Sequence, residues 1–95
     1  MIKAYLQISM HIDKGNREYA AAVYRRYRAP FLETVRGAVF KELLVHEAGV
    51  QVLHGFETHD AAQEYLLSSL FNNEVVPALE PYLQHHPDIR VYTVV

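Results

Sequence analysis

The chain has 95 residues, 51% of them hydrophobic and 21% charged, and a net charge of −2 with its six histidines neutral. That balance describes one ordered globular domain over residues 1–95, excludes a disordered segment, and supplies no electrostatic reason to bind a nucleic acid or another polyanion. Cysteine is absent, so disulfides, thiolate zinc sites, iron–sulfur clusters and cysteine nucleophiles are excluded as well.

A domain of this size hides roughly two-thirds of its unfolded surface, so any burial against a partner matters. The opening MIKAYLQISMHIDKG alternates apolar and polar residues and has no signal-peptide core. Nowhere is there a run of the roughly 20 apolar residues a membrane span needs. A soluble cytoplasmic chain without a membrane partner is expected.

From Ala4 to Ile12 the even positions Ala4, Leu6, Ile8, Met10 and Ile12 are apolar, while Tyr5, Gln7, Ser9 and His11 stand between them. This period of two predicts a half-buried strand. After a turn over Asp13 to Asn16, the residues Ala20, Val23, Tyr24, Tyr27, Phe31 and Val35 recur at helical spacing, with charges off the stripe. Pro30 removes an N–H inside that helix and predicts a kink or restart there, the continuing apolar row favouring a kink, with Gly37 ending the helix.

Phe40 to His46 and Val50 to Phe56 flank a short Glu47-Ala48-Gly49 turn and predict a hairpin. Both strands carry consecutive apolar residues, Leu43-Leu44-Val45 and Val52-Leu53, so both faces of the sheet want cover. One layer of helices covers one face only. A second copy of the chain packed face to face is the expected cover for the other, hence a homodimer.

Thr58 is placed to cap a second helix with the stripe Ala62, Tyr65, Leu66 and Leu70, and Asn72 or Asn73 to cap a further one bearing Val75, Val76, Leu79 and Leu83. Pro77 suits a first turn, and Pro81 marks a kink or a stop. His85 to Asp88 reads as a turn and Ile89 to Val95 as the last strand. The fold class is therefore α+β, a ferredoxin-like β-α-β-β-α-β chain with a four-stranded antiparallel sheet.

Histidines 11, 46 and 54 fall on predicted strands, but they come from three separate strands without a carboxylate at ligand spacing, so no metal site is expected. The run Tyr24-Arg25-Arg26-Tyr27-Arg28 separates at helical spacing into buried tyrosines and a solvated cationic edge. The third strand also lacks the stacking aromatics and basic residues of an RNA-recognition sheet. Ser68 and Ser69 lie within a helix, away from any strand-turn elbow, and no nucleotide-binding glycine loop or His-Glu-x-x-His is present. His54 and Tyr65 are the polar groups set among apolar neighbours, and Phe56 and Phe71 are aromatic candidates for a cavity wall.

Three stretches resemble antibiotic biosynthesis monooxygenase domains of the dimeric α/β-barrel group: PFLETVRGAVFKELLV (Pro30 to Val45), VQVLHGFETHDAAQEYL (Val50 to Leu66) and DIRVYTVV (Asp88 to Val95). The resemblance implies a ferredoxin-like monomer whose sheet joins a second one to form a barrel, with a ligand cavity between each sheet and its helices. It also implies a small aromatic ligand and one of several activities: oxidation of electron-rich phenols without a cofactor, quinol oxygenation, or haem degradation. In the cofactor-free chemistry the substrate carbanion reduces oxygen, so the protein need only bind, deprotonate and exclude water.

The haem-degrading branch carries an Asn, a Trp and a haem-ligating His at positions that fall here on Ile8, Tyr65 and Val75, and the chain has no Trp. No imidazole stands there to hold an iron. The phenol-oxidising branch uses a Trp, an Asn and an Arg in its pocket, none of which transfers to a given position here, and Tyr65 alone carries over, as a hydrogen-bonding wall.

The resulting expectation is a homodimeric, cofactor-independent monooxygenase acting on a small phenolic or quinol compound. His54 or Tyr65 assists proton removal, and Phe56, Phe71 and Ile8 hold the ring. The alternative is a non-catalytic homodimeric module that binds a small ligand or a partner, favoured by the aliphatic row Ala4, Leu6, Ile8 and Met10.

Overall fold

In the computed structural model, which describes residues Met1–Val95, alternating burial runs without a break along strand β1, Ala4–Met10. Its even residues are buried and its odd ones half-buried, as period two requires. Strand β2 spans Ala38–His46, β3 spans Gly49–Phe56 and β4 spans Asp88–Thr93. The order across the sheet is β2-β3-β1-β4 and every pairing is antiparallel, which is the ferredoxin-like arrangement.

Helix α1 covers Arg17–Thr34 and runs without interruption through Pro30. Of the two alternatives at Pro30, a restart does not occur, because the apolar stripe continues on either side: Ala20, Val23 and Phe31 are all buried, and that packing outweighs one lost hydrogen bond. The helix stops at Thr34, earlier than expected, and Val35 is already extended. Gly37 then takes φ 77°, the left-handed conformation that swings the chain into β2, and a Cβ there would lie 2.7 Å from that of Ala61.

Arg17 tethers the hairpin turn to α1 by donating to the carbonyl of Glu47 at 2.8 Å, and it donates also to that of Ile12, beyond the end of β1, at 3.3 Å. The turn is tight, with His46 paired to Gly49 and the Ala48 N–H donating to His46 Nδ1 at 3.1 Å. Strand β2 starts at Ala38, before the expected Phe40, and a bulge between those residues leaves Val39 exposed.

Thr58 caps helix α2, His59–Leu66, by accepting from the Ala61 N–H at 3.0 Å. Neither Asn72 nor Asn73 caps the segment that follows. Both lie inside a π-helical turn, Leu70–Val75, and the Asn72 side chain donates backwards to the carbonyls of Leu66 and Ser68, both at 2.9 Å. Ser68 is the cap instead: its hydroxyl accepts from the Phe71 N–H at 3.2 Å and donates to the Tyr65 carbonyl. Pro77 sits in the first turn of a short α3, Val76–Leu79, and Pro81 in the 3-10 turn Glu80–Tyr82 at which the helical run stops.

All helical pieces lie on one side of the sheet. The core is the even face of β1 together with Val50, Val52, His54 and Phe56 of β3, closed by Phe31 from α1 and Tyr65 from α2. Burying a side chain such as Leu6 contributes about 2 kcal/mol. The opposite face is uncovered and presents Tyr5, Phe40, Leu44, Leu53 and Tyr92 beside polar Ser9, Gln51 and Arg90. No helix is long and apolar enough to cross a membrane.

Candidate functional site

Phe31 is the hub of an aromatic cluster between helices and sheet. Its ring centroid lies 5.0 Å from Tyr65, 5.2 Å from His54 and 5.5 Å from Phe56, each near edge-to-face. Tyr65 also contacts Phe71 at 5.2 Å and His54 at 5.6 Å. Such pairs contribute about 1 kcal/mol each beyond area burial, so the polar rings of His54 and Tyr65 are held in fixed orientations.

His54 is 1% exposed and its Nδ1–H donates to the Leu6 carbonyl at 3.1 Å, which leaves Nε2 as the lone-pair nitrogen. Burial, reinforced by the charge of Lys41, pushes the imidazole down to a pKa of about 3. Tyr65, equally buried, has a hydroxyl with no hydrogen-bond partner in the chain, and burial raises its pKa well above the usual phenol range. At neutral pH the pair is therefore a neutral imidazole and a neutral phenol.

Lys41 completes the polar set and was not singled out from the sequence. It pairs in register with His54, so both side chains rise from the same face of the sheet, and it is 3% exposed. Its ammonium has no ion pair; it lies 5.4 Å from the Phe31 ring centroid and 5.9 Å from that of Tyr24. Burial lowers its pKa to about 8, a cost of about 3 kcal/mol at neutral pH. The Tyr24 hydroxyl donates to the Lys41 carbonyl at 2.7 Å and pins this part of the edge strand to α1.

These groups line one enclosed cavity, ten of whose twelve lining residues are hydrophobic, with room of about 20 Å³ for a single water molecule. Of the residues expected at a site, His54, Tyr65 and Ile8 meet on it. Phe71 lines an open groove of about 900 Å³ between the sheet and the Phe71 to Pro87 segment, which shares Ile8, Met10 and Leu79 with the cavity. Phe56 lines neither and packs behind His54 and Tyr65. Val75, the position matching the haem ligand, reaches the cavity but offers an iron no ligand atom.

No signal within β2 marks Lys41 as buried. In β2 it shares parity with Leu43 and Val45, yet the opposite parity carries Phe40 and Leu44, so alternation alone assigns it to no face. Chemically, the arrangement offers a hydrogen-bond donor, a neutral imidazole and an amine that titrates near neutrality, inside walls that exclude bulk water. Such a set suits binding and proton transfer on a single polar group of an otherwise apolar molecule.

The sequence matches no protein-family model and no curated protein. Its fold is nonetheless shared with solved structures. A candidate antibiotic biosynthesis monooxygenase from Bordetella bronchiseptica superposes with a TM-score of 0.85 at 16% identity, covering 100% of this chain and 99% of that one. A conserved protein from Methanosarcina mazei gives 0.84 at 12% identity, covering 100% and 95%. A monooxygenase from Streptomyces coelicolor, solved in complex with nanaomycin D, gives 0.82 at 14% identity over 99% of this chain and 88% of that one. The chain has the fold of the antibiotic biosynthesis monooxygenase-like proteins.

Proposed function

We propose that the protein is a homodimeric, cofactor-independent monooxygenase of small phenolic or quinol compounds. The observation that carries this reading is the pairing of His54 with an unpartnered Tyr65 hydroxyl on an apolar cavity, in a fold shared with a monooxygenase solved in complex with nanaomycin D. The substrate ring rests in the groove against Phe71 and Ile8, while its hydroxyl enters the cavity once the helical wall moves outward. Tyr65 donates a hydrogen bond to the substrate oxygen, and Nε2 of His54, held neutral, accepts a hydrogen bond from the substrate hydroxyl and assists the loss of its proton without itself becoming charged. Phe56 braces both from behind. The deprotonated ring then supplies the electrons to oxygen, and the apolar walls exclude water from the reduced intermediate.

The dimer reading rests on the uncovered sheet face, where Leu44 and Tyr92 are each 42% exposed beside half-buried Phe40 and Leu53. Packed against a second copy, this face closes the barrel.

A second reading is a non-catalytic dimer that binds a small apolar ligand. The aliphatic walls of the cavity favour it. Oxygen uptake with a panel of hydroquinones, anthrones and catechols separates the two. Uptake coupled to a product that has gained one oxygen atom from O2, the other leaving as water, supports the oxygenase, whereas a folded protein inert across the panel leaves the binding module.

A further inference from the structure

Lys41 is a buried cation that the proposed proton transfer does not use. It stands on an edge strand, where an inward-facing lysine also discourages pairing between sheets of different molecules. That role would be served by an ammonium reaching solvent or resting on a carboxylate. Here no carboxylate meets it and the residue is only 3% exposed, and it shares a cavity with the one buried side-chain oxygen that lacks a partner, Tyr65 OH. The titratable groups facing this space are Tyr24 from α1, His54 from β3 and Tyr65 from α2, while the short helical wall contributes Val75 and Leu79. None is a carboxylate. A positive charge and a free donor in one apolar enclosure are complementary to a single ionised oxygen.

We infer that Lys41 and Tyr65 form an anchor for a phenolate: the site takes an aromatic phenol in its ionised form, the oxygen paired with the Lys41 ammonium and accepting from Tyr65, the ring lying in the adjoining groove. This rests on reading the cavity as the ligand site. It goes further in naming the charge state selected and the residue that selects it. Pairing favours the ionised phenol over the neutral one, so the protein lowers the pKa of its own ligand. By linkage, the bound phenolate raises that of Lys41 above its free value of about 8.

The test uses 4-nitrophenol, whose ionised form has a visible absorption band, against 4-nitroanisole, which has the same ring and no ionisable group. At a pH just above neutral the intact protein should bind the nitrophenolate at least about tenfold more tightly than the anisole, the factor equivalent to one pKa unit. The bound probe should show the phenolate band at a lower pH than the free probe. Lys41→Met should abolish the preference and leave anisole binding little changed, and Lys41→Arg should restore much of it. Equal affinity for the two probes, binding of neither, or a preference that survives Lys41→Met overturns the inference.

Should Lys41→Met fail to fold, the wild-type protein decides the matter alone: nitrophenolate must slow reductive methylation of Lys41, and anisole at equal concentration must not. Equal protection, or none, rejects the anchor. Oxygen uptake is read separately, so a phenolate preference without uptake rejects only the oxygenase, and uptake without the preference rejects only the anchor.

Discussion

Lys41 of β2 and His54 of β3 oppose each other in a register pair on the buried side of the sheet, two bases with no acid between them. Burial comes first and the Lys41 charge second in penalising the charged form of His54, while Lys41 is lowered by burial alone. The pair is tolerated because the imidazole gives up its charge, leaving one ammonium in the apolar layer, over aromatic faces.

Stability should therefore fall in acid through His54. The unfolded ring takes up a proton near pH 6.5, and the native one only at about 3. Between those values the unfolded state binds more protons, so stability rises with pH across the window and is lost as pH falls through it, by up to about 5 kcal/mol. Urea titrations from neutral pH downward should show this slope, and His54→Leu should remove most of it. An unchanged acid slope in that variant would mean the limb belongs to other groups.

Lys41→Met should make the protein more stable at neutral pH, by about 2 to 3 kcal/mol, because a desolvated charge is replaced by a side chain of similar length. The wild type should gain stability as pH rises from about 8 towards 10.5, where only the unfolded lysine still holds its proton. The variant should lack that gain. Chemical denaturation at pH values on either side of the window checks both, and a destabilised variant would show that the ammonium has a stabilising partner.

Tyr65→Phe should separate stability from function. Removing a buried hydroxyl that has no partner should raise stability by about 1 kcal/mol, since no hydrogen bond is lost. If Tyr65 binds the reacting oxygen, the same change should lower oxygenase turnover by about a hundredfold. Thermal melts and oxygen uptake on one preparation test this, and full turnover would remove Tyr65 from the mechanism.

Gly55→Ala should destabilise the fold by about 1 to 3 kcal/mol, because its Cβ would run into the Phe40 ring on the uncovered face of the sheet. Phe40→Ala in the same chain should recover much of the loss. A double-mutant cycle measures the coupling, and additive losses would assign the glycine to backbone conformation instead.

Sedimentation equilibrium should find a dimer in the wild type, and Leu44→Glu should shift it to monomer with little effect on the monomer's helix content, since Leu44 is 42% exposed. A monomeric wild type would remove the barrel from the proposal.

The sequence by itself determined the elements whose signals are local. The period of two in Ala4–Met10 revealed both the strand and its buried face, and Thr58 marked the start of α2 because a cap needs only its own hydroxyl and the N–H of Ala61. Ile8 and Tyr65 were legible as candidates because each lies on a segment with a clear apolar side, and His54 because it is a polar group among apolar neighbours; all three line the cavity.

Tertiary structure decided the rest. Pro30 stays inside α1 because the core holds the stripe on both sides of it, and Asn72 turns back to Leu66 because Ser68 had already supplied the cap. Lys41 is buried because pairing with His54 aims it inward, and no pattern within β2 encodes that register. A cap or a strand face follows from neighbours along the chain. The environment of a charge depends on what packs above it from elsewhere in the fold, so the lone ammonium emerges only when four strands and two helices are in place.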